Sequence, residues 1–175
     1  MALRLVTVLL GMLLAVSAHG QAVEEYQVKA AFLYNFAKFV QWPSSAFKSA
    51  QEPIAICILG QNPFGGALDE AIRGKQIEGR SLVVYQVSSD TPSRACHILF
   101  VGGAERKRFR ALAEAFRAPG VLTVGEAAWF SAEGGVINLK LDAGRVRFEI
   151  NVEAADRQQL RISSKLLSLA QVVNK

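Results

Sequence analysis

Two short apolar runs near the middle of the chain predict the centre of a sheet. They are Ile54–Leu59 and Cys96–Val101, neither of which alternates with polar residues, and each ends at a glycine. Runs of this kind are typical of strands covered on both faces, in a sheet flanked by helices. Each run carries one of the two cysteines, Cys57 and Cys96, which places two thiols in adjacent parts of one sheet.

Helical spacing precedes and follows these strands. Between residues 24 and 41, apolar side chains recur at helical intervals through Val28, Phe32, Phe36 and Phe39. The helix ends before a proline, because the residue preceding proline is pushed out of the helical region. The other predicted elements are strands over residues 80–87 and 121–125, a short helix from residue 67, and a helix over residues 105–118.

A hairpin follows, in which side-chain parity fixes the register. Residues 136–141 and 145–151 read as two antiparallel strands with Leu141 opposite Val146, so that all six apolar side chains share one face. We expect a four-residue loop between them, because a two-residue turn would ask Ala143 for an unfavourable positive φ.

The end of the chain completes the predicted architecture. Residues 154–160 form a turn or short helix, and Ser163 and Ser164 cap a terminal helix that carries apolar residues as far as Val173. Alternation of strands and helices predicts an α/β fold. We therefore expect a single domain over residues 24–175, with a mixed sheet, helices on both faces and a C-terminal antiparallel hairpin.

The second face of the hairpin carries charge without an obvious structural reason. Lys140 lies opposite Arg147, Arg145 is nearby, and Glu149 and Asn151 follow on the same strand. Like charges directly opposite each other destabilise a strand pair slightly. This face is either a solvated surface with diagonal ion pairs or a site for an acidic partner or a small anion.

The first 20 residues have the layout of a secretory signal peptide. Arg4 precedes an apolar run of about a dozen residues, and small residues follow at Ser17, Ala18 and Gly20. The run is shorter than the roughly 20 residues that span a membrane. We expect cleavage between Ala18 and Ala22 and a soluble, exported protein, with a retained membrane anchor as the alternative.

The charge of the mature chain is modest and dispersed. The net charge of +5 includes Arg4, so removal of the signal leaves 19 Lys and Arg against 15 Asp and Glu, or +4. The only dense basic run is Arg106-Lys107-Arg108 with Arg110, which we interpret as a solvated helix face. Nucleic-acid binding is not expected.

Two cysteines in an exported protein allow one intramolecular disulfide. Joining Cys57 to Cys96 would close a loop of about 40 residues and stabilise the fold by about 4 kcal/mol. The alternative is a pair of buried free thiols, since cysteine also packs well as a small apolar residue.

Signals for catalysis are weak. The mature chain keeps one histidine, His97, whose side chain points to the opposite strand face from that of its neighbour Cys96, so the two do not make a nucleophile and base. Neither residue has metal-ligand spacing to another Cys or His. We expect no catalytic, cofactor or metal site, and interpret His97 as a packed or hydrogen-bonded strand residue. Composition and spacing indicate an exported binding module and go no further.

The mature chain resembles the YfiR family of periplasmic proteins, with the shared motifs in the family's order. The residues that carry the resemblance are Ala31–Val40 with Trp42-Pro43, Cys57–Gly60, Cys96–Phe100, Leu122–Val124, Gly134–Asn138, Phe148–Asn151 and Ser163–Leu167.

The resemblance implies a non-enzymatic periplasmic repressor without a cofactor. Family members are similar to a protein that binds the periplasmic region of an inner-membrane diguanylate cyclase and holds it inactive, which lowers cyclic di-GMP and disfavours biofilm growth. The resemblance further implies release through an outer-membrane lipoprotein and through redox state, with Cys57 and Cys96 matching the family's cysteine pair. Some members have a second pair, which this sequence lacks. A homodimer is a further possible partnership.

Our hypothesis for the contact surface is an apolar patch near the aromatic helix, rimmed by the basic hairpin face. Two other classes of function stay open. A periplasmic small-molecule receptor would need an enclosed pocket with a few convergent polar groups. An enzyme would need a cleft with several perturbed titratable groups.

Overall fold

A computed structural model describes residues 23–87, 96–112 and 119–173. Its helices are α1 (residues 23–39), α2 (Ala67–Ile72), α3 (Arg106–Leu112), α4 (Val152–Arg157) and α5 (Ser164–Leu167), with 3₁₀ turns at Ser44–Ala46, Gly103–Glu105 and Ser131–Glu133. Its strands are β1 (Val40–Gln41), β2 (Ile54–Leu59), β3 (Gln76–Ile77), β4 (Arg80–Val87), β5 (Ile98–Val101), β6 (Leu122–Gly125), β7 (Ile137–Asp142), β8 (Arg145–Asn151), β9 (Arg161–Ile162) and β10 (Gln171–Val173).

Eight strands form one mixed sheet in the order β10-β8-β7-β6-β5-β2-β4-β3, and β1 pairs with β9 separately. Its centre is a parallel set, β4-β2-β5-β6-β7, while β7 and β8 form the antiparallel hairpin. The core residues of α1 pack on one face of the sheet, and those of α3 pack on the other. The predicted α/β class, mixed sheet and hairpin are confirmed.

The two unbroken apolar runs lie at the centre of the sheet, as expected. All residues of β2 and β5 are buried, because parallel strands in this position are covered by helices on both faces. The second run becomes a strand only at Ile98, two residues later than predicted, although the backbone N–H of His97 already donates to the carbonyl of Ala55 at 2.9 Å.

The predicted disulfide is present. Cys57 in β2 and Cys96, two residues before β5, are bonded with a Cα–Cα distance of 5.7 Å, and both are buried. This distance lies within the usual range for a disulfide. The bond therefore joins two neighbouring strands at the middle of the sheet.

Helix α1 buries a broader apolar arc than its aromatic spacing alone indicates. The buried apolar side chains are Ala30, Leu33, Phe36, Ala37 and Val40. Val28 is exposed, and Phe32 and Phe39 are only half-buried. Phe36 of the predicted spacing is fully buried, and Phe32 and Phe39 pack against the same core cluster, so the helix is covered across a wide apolar arc.

The predicted register of the hairpin is confirmed, but the predicted four-residue loop is wrong. Leu141 pairs with Val146 as predicted, but the strands continue to Asp142 and Arg145. The turn is the two residues Ala143 and Gly144, with φ values of +47° and +75°. Continued pairing of the strands holds Ala143 in the left-handed region that we expected it to avoid.

The end of the chain also differs from the prediction. The side chain of Ser163 accepts a hydrogen bond from the backbone N–H of Leu166, as an N-cap should. Helix α5 ends at Leu167, however, and Gln171–Val173 adds to the sheet parallel to β8. Two consecutive β-branched valines favour a strand here, and β8 offers them an unpaired edge.

Several predictions lie outside the described residues. These are the signal peptide, the polar turn after β4, and the second half of the helix predicted for residues 105–118. The described first half of that helix buries Phe109 and Leu112, as its spacing indicates.

Reduction of the disulfide should lower the free energy of unfolding by about 4 kcal/mol, because opening the loop restores conformational freedom to the unfolded chain. Urea denaturation with and without dithiothreitol measures the difference. The double variant Cys57→Ala, Cys96→Ala serves as the control and should not respond to dithiothreitol. An unchanged midpoint for the reduced native protein would contradict the structural role.

Candidate functional site

The five residues predicted to form one surface of the hairpin fall into an exposed group and a buried group. Lys140, Arg145 and Arg147 are exposed. Glu149 is only 4% exposed, and Asn151 is fully buried. The expectation of one solvated face is therefore wrong in the half of the hairpin nearest the core, where the 3₁₀ turn Ser131–Glu133 covers the strands.

Glu149 is the centre of a polar cluster beneath that turn. Its Oε1 accepts hydrogen bonds from Ser131 Oγ at 2.5 Å and from Asn138 Nδ2 at 3.3 Å, and its Oε2 pairs with the Lys140 ammonium. Burial alone would raise the pKa of Glu149, but Lys140 and the two hydrogen bonds outweigh it and hold the pKa below the usual 4.5. Glu149 is thus a buried carboxylate that anchors an exposed cation.

Asn151 has a structural role. Its side-chain oxygen accepts a hydrogen bond from the N–H of Ala154 at 3.0 Å and so caps α4, while its amide donates to the carbonyl of Ser131 at 3.4 Å. The residue ties the end of the hairpin to the turn that covers it. It does not present a surface to a partner.

An apolar patch lies on the other face of the hairpin, where α1 crosses it. We define this patch as Val28, Phe32, Leu141, Val146 and Leu169. Phe32, Leu141 and Val146 line two adjoining grooves, of about 390 and 690 Å³, which Val28 and Leu169 extend on either side. Leu169 is 69% exposed, Leu141 56% and Val28 45%, which is high for residues of this size and places an apolar surface in solvent.

The beginning of α1 holds a polar cluster that the sequence reasoning missed. Lys29 is buried, with Nζ 2.6 Å from Glu126 Oε2 and 2.5 Å from Glu25 Oε1. Tyr26 Oη donates to the same Glu126 carboxylate at 3.2 Å. Burial opposes the charge on Lys29, yet the hydrogen bonds to Glu126 and Glu25 raise its pKa above the usual 10.5. Burial, with the negative charge of Glu126, raises the pKa of Tyr26.

This cluster sits at the carboxyl ends of the parallel strands, where open α/β sheets bind ligands at the point at which the strand order reverses. That point lies between β2 and β5. A side-chain carbon at Gly60, after β2, would lie 2.1 Å from Glu105 Oε1, and one at Gly102, after β5, would lie 3.9 Å from Glu126 Oε1. The chain's own carboxylates therefore occupy this end of the sheet.

A cleft of about 390 Å³ opens instead beside the small β1-β9 sheet. Phe39, Trp42 and Phe47 line it together with the cations Arg80 and Arg161. The Arg80 guanidinium lies 3.8 Å from the centre of the Phe47 ring and donates to the carbonyl oxygens of Ser49 and Glu52, each at 2.8 Å. The cleft combines an aromatic wall with three cations, Lys38, Arg80 and Arg161, and one carboxylate, Glu78.

Three of the four basic residues of α3 pair with carboxylates of the same chain. Arg106 and Arg110 both pair with Glu133 Oε1, at 2.6 and 2.5 Å, and Arg108 pairs with Glu105 at 3.1 Å. The two guanidinium groups outweigh the effect of burial and hold the pKa of Glu133 below its usual value. Within the described part of the chain, no cluster of three His, Cys, Asp or Glu residues is arranged to hold a metal ion.

Comparison with known proteins assigns the chain to a family. The model of the YfiR/HmsC-like family matches residues 26–171. This chain belongs to the YfiR/HmsC-like family. The family is one of periplasmic regulatory proteins and not of enzymes, and the predicted resemblance is confirmed. Among residues 23–87, 96–112 and 119–173, no helix is long and apolar enough to cross a membrane.

Two solved structures are similar to this YfiR/HmsC-like chain. The ABC domain from Streptococcus pneumonia, in complex with L-Trp, has 13% sequence identity and a TM-score of 0.48, with 69% of this chain and 55% of that one covered. A conserved domain protein from Vibrio cholerae O1 biovar El Tor has 14% identity and a TM-score of 0.45, with 67% and 54% covered. The chain spans about half the length of these two proteins, and no functional inference follows from likeness at this level.

His97 is buried and hydrogen-bonded, as the sequence predicts, although it lies one residue before β5. Its Nδ1 accepts from the backbone N–H of Ala55 at 3.0 Å, so Nε2 carries the proton and donates to the carbonyl of Ala46 at 3.1 Å. The Phe47 ring stacks on it at 4.3 Å. Burial lowers the pKa of His97 below 6.5; of the nearby charges, Arg80 lowers it further and Glu52 opposes it.

We expect acidification to destabilise this YfiR/HmsC-like fold through His97. A folded-state pKa below the unfolded value means that the unfolded chain binds the proton first, so stability is complete above pH 6.5 and declines as the pH falls below it. One proton limits the slope to about 1.4 kcal/mol per pH unit. Urea denaturation between pH 8 and pH 5 measures it.

The variant His97→Gln is the control for this pH dependence. It cannot titrate, so its stability should be lower overall but nearly independent of pH in that window. Glu149, with its lowered pKa, loses its contribution only as the pH falls below 4.5 and does not overlap the His97 window. Equal slopes for the native protein and the variant would contradict the assignment.

Proposed function

We propose that this protein is exported by a cleaved signal peptide and binds the periplasmic region of an inner-membrane diguanylate cyclase, which it holds inactive. The result is less cyclic di-GMP and less biofilm growth. The observation that carries the proposal is the family match over residues 26–171. Family membership implies a partner of this kind and a role through contact, not turnover.

The disulfide supplies a redox input for this regulator. Cys57 and Cys96 belong to the core cluster that also contains Leu99, Val101 and Phe109, so the bond lies between the sheet and the face that α3 covers. Reduction removes a covalent tie from the centre of the fold and loosens the body that presents the contact surface. An outer-membrane lipoprotein is the proposed second route to release.

The contact with the cyclase uses the apolar patch beside α1, rimmed by the basic face of the hairpin. The side chains of Lys140 and Arg147 are 43% and 64% exposed. Glu149 holds the Lys140 side chain in place from beneath, so Lys140 loses less conformational freedom when it binds a partner. The ion pair of Arg147 with Asp142 is exposed and weak. Arg145 has no ion-pair partner among the described residues and completes a surface suited to acidic groups.

Charge reversal at this face should release the cyclase. In cells carrying Lys140→Glu and Arg147→Glu together, cyclic di-GMP should rise several-fold, because like charges now face the acidic surface of the partner. Mass spectrometry of cell extracts measures the nucleotide, and co-purification with the periplasmic region of the cyclase measures the contact.

The matched control reverses two exposed cations elsewhere, Arg73→Glu and Lys107→Glu, and should leave repression intact. Native-like stability of both double variants is checked by thermal unfolding. Unchanged cyclic di-GMP with the hairpin variant, in a strain where deletion of the protein raises it, would exclude this face.

A second candidate function is a small-molecule sensor for a membrane signalling protein. The cleft beside β1 favours it, because an aromatic wall with two arginines and a volume of about 390 Å³ suits a small ligand with an apolar body and a negative group. Arg161 has no ion-pair partner in the described ranges and is free to meet such a group.

A thermal-shift screen of small organic anions tests the sensor. A ligand of the cleft should raise the melting temperature of the native protein and lose its effect on Arg161→Glu, while Arg73→Glu, on another element, keeps it. Ligands that act equally on all three proteins would show that they bind elsewhere.

A further inference from the structure

Strand β4 is only partly covered on the side that faces away from β2. It runs over Arg80–Val87 and pairs with β2 from Leu82 to Val87. On its other side, β3 pairs with it at Arg80 and Ser81 alone. Among the described residues, no strand lies beside Leu82–Val87 on that side, so the main sheet has an open edge of six residues there.

A hydrogen bond at the end of β4 shows which of its backbone groups point outward. The N–H of Gly60 donates to the carbonyl of Val87 at 3.2 Å, so the backbone groups of Val87 face β2. These groups alternate in direction from one residue of a strand to the next. The N–H and C=O groups of Val84 and Gln86 therefore point away from β2, toward the open edge.

This edge lacks the features that usually prevent pairing with another strand. Exposed edges are commonly protected by lysine or proline. The segment Leu82–Val87 contains no charged residue and no proline, and its valines and tyrosine favour an extended backbone. Val83, Val84 and Tyr85 are partly exposed and Gln86 is exposed, so the edge can be reached from solvent. The strand at the opposite end of the sheet, β10, has only three residues.

We propose that the outer edge of β4 receives an extended segment of the periplasmic region of the cyclase, which adds to the sheet as a further strand. The inference rests on the proposed function for the identity of this partner. A row of alternate N–H and C=O groups is matched by another strand and not by a helix, whose backbone groups are bonded internally. Main-chain hydrogen bonds supply affinity in such a contact, and pockets for alternate side chains supply specificity.

The edge of β4 and the hairpin lie toward opposite ends of the sheet and do not compete. Five strand spacings separate β8 from β4, which is about 24 Å at the usual distance between neighbouring strands. An extended chain of about eight residues covers this distance. One partner can therefore hold the hairpin with its folded part and β4 with an extended segment, and linking the two contacts strengthens the whole.

Amide hydrogen exchange, followed by NMR on the full exported protein, tests the pairing residue by residue. In the free protein, the N–H groups of Val84 and Gln86 should exchange rapidly, while those of Val83 and Tyr85, which face β2, should be protected. Addition of the purified periplasmic region of the cyclase should slow exchange at Val84 and Gln86 by about tenfold or more. Val83 and Tyr85 should not change, and they serve as controls on the same strand.

Proline at position 84 tests the same contact through binding. Val84→Pro removes an N–H that points away from β2, so β4 should keep its pairing with β2, while an incoming strand loses a hydrogen bond and meets the proline ring. Affinity for the periplasmic region, measured by calorimetry, should fall by about tenfold or more. Val84→Ala keeps the N–H and should bind within about threefold of the native protein. Circular dichroism and thermal unfolding check the fold of both variants.

Rapid exchange at Val84 and Gln86 in the complex, with native-like binding by Val84→Pro, would overturn the strand addition. The proposed function then still stands if Lys140→Glu with Arg147→Glu abolishes binding. A native protein that does not bind the periplasmic region at all would remove the cyclase as partner, and both proposals with it. Protection of Val84 and Gln86 in the free protein that disappears on dilution would show a second copy at this edge, and would also overturn the proposal.

Discussion

The pairing of β2 with β5 is the constraint on which the rest of the structure depends. Every other strand of the main sheet is added outward from these two, which are buried on both faces. The disulfide joins them from one face, and one residue later His97 joins the start of β5 to Ala55 and to the loop before β2. Covalent and hydrogen-bonded ties thus act within two residues of each other, at the amino end of the central strand.

From this centre outward, the sheet changes from an apolar to a mixed character. The hairpin is apolar toward α1 but carries Asn138 and Glu149 on its second face, where the turn Ser131–Glu133 covers them. A buried carboxylate is costly unless it is paired and hydrogen-bonded. Here the cost is offset by Lys140, whose charged end remains at the surface, so the polar interior and the basic exterior of the hairpin are one network.

The sequence predicts those features of the structure that depend on residues close together along the chain. The unbroken runs predicted the central strands, and the parity of apolar residues predicted the register at Leu141 and Val146, because both depend on neighbours along the chain. Parity assigns a side chain to a face but says nothing about what covers that face, which is why Glu149 was expected in solvent. The pairing of Lys29 with Glu126, 97 positions away, left no signal in helical spacing. Strand β10 also left no clear local signal, because it forms by pairing with the free edge of β8.

The position of the charges also supports the proposal that recognition uses the hairpin and not the ligand crevice of this fold class. At the carboxyl ends of the central strands, Glu105 fills the space next to Gly60, Glu126 lies at van der Waals distance from Gly102, and Lys29 neutralises Glu126 from within the protein. Among the described residues, both carboxylates at this end of the sheet are therefore paired within the protein, Glu126 with Lys29 and Glu105 with Arg108. The hairpin carries the exposed cations Lys140 and Arg147 beside the apolar residues Leu141 and Val146 in one groove, so a single short element presents both the charge and the apolar surface that the proposed contact requires.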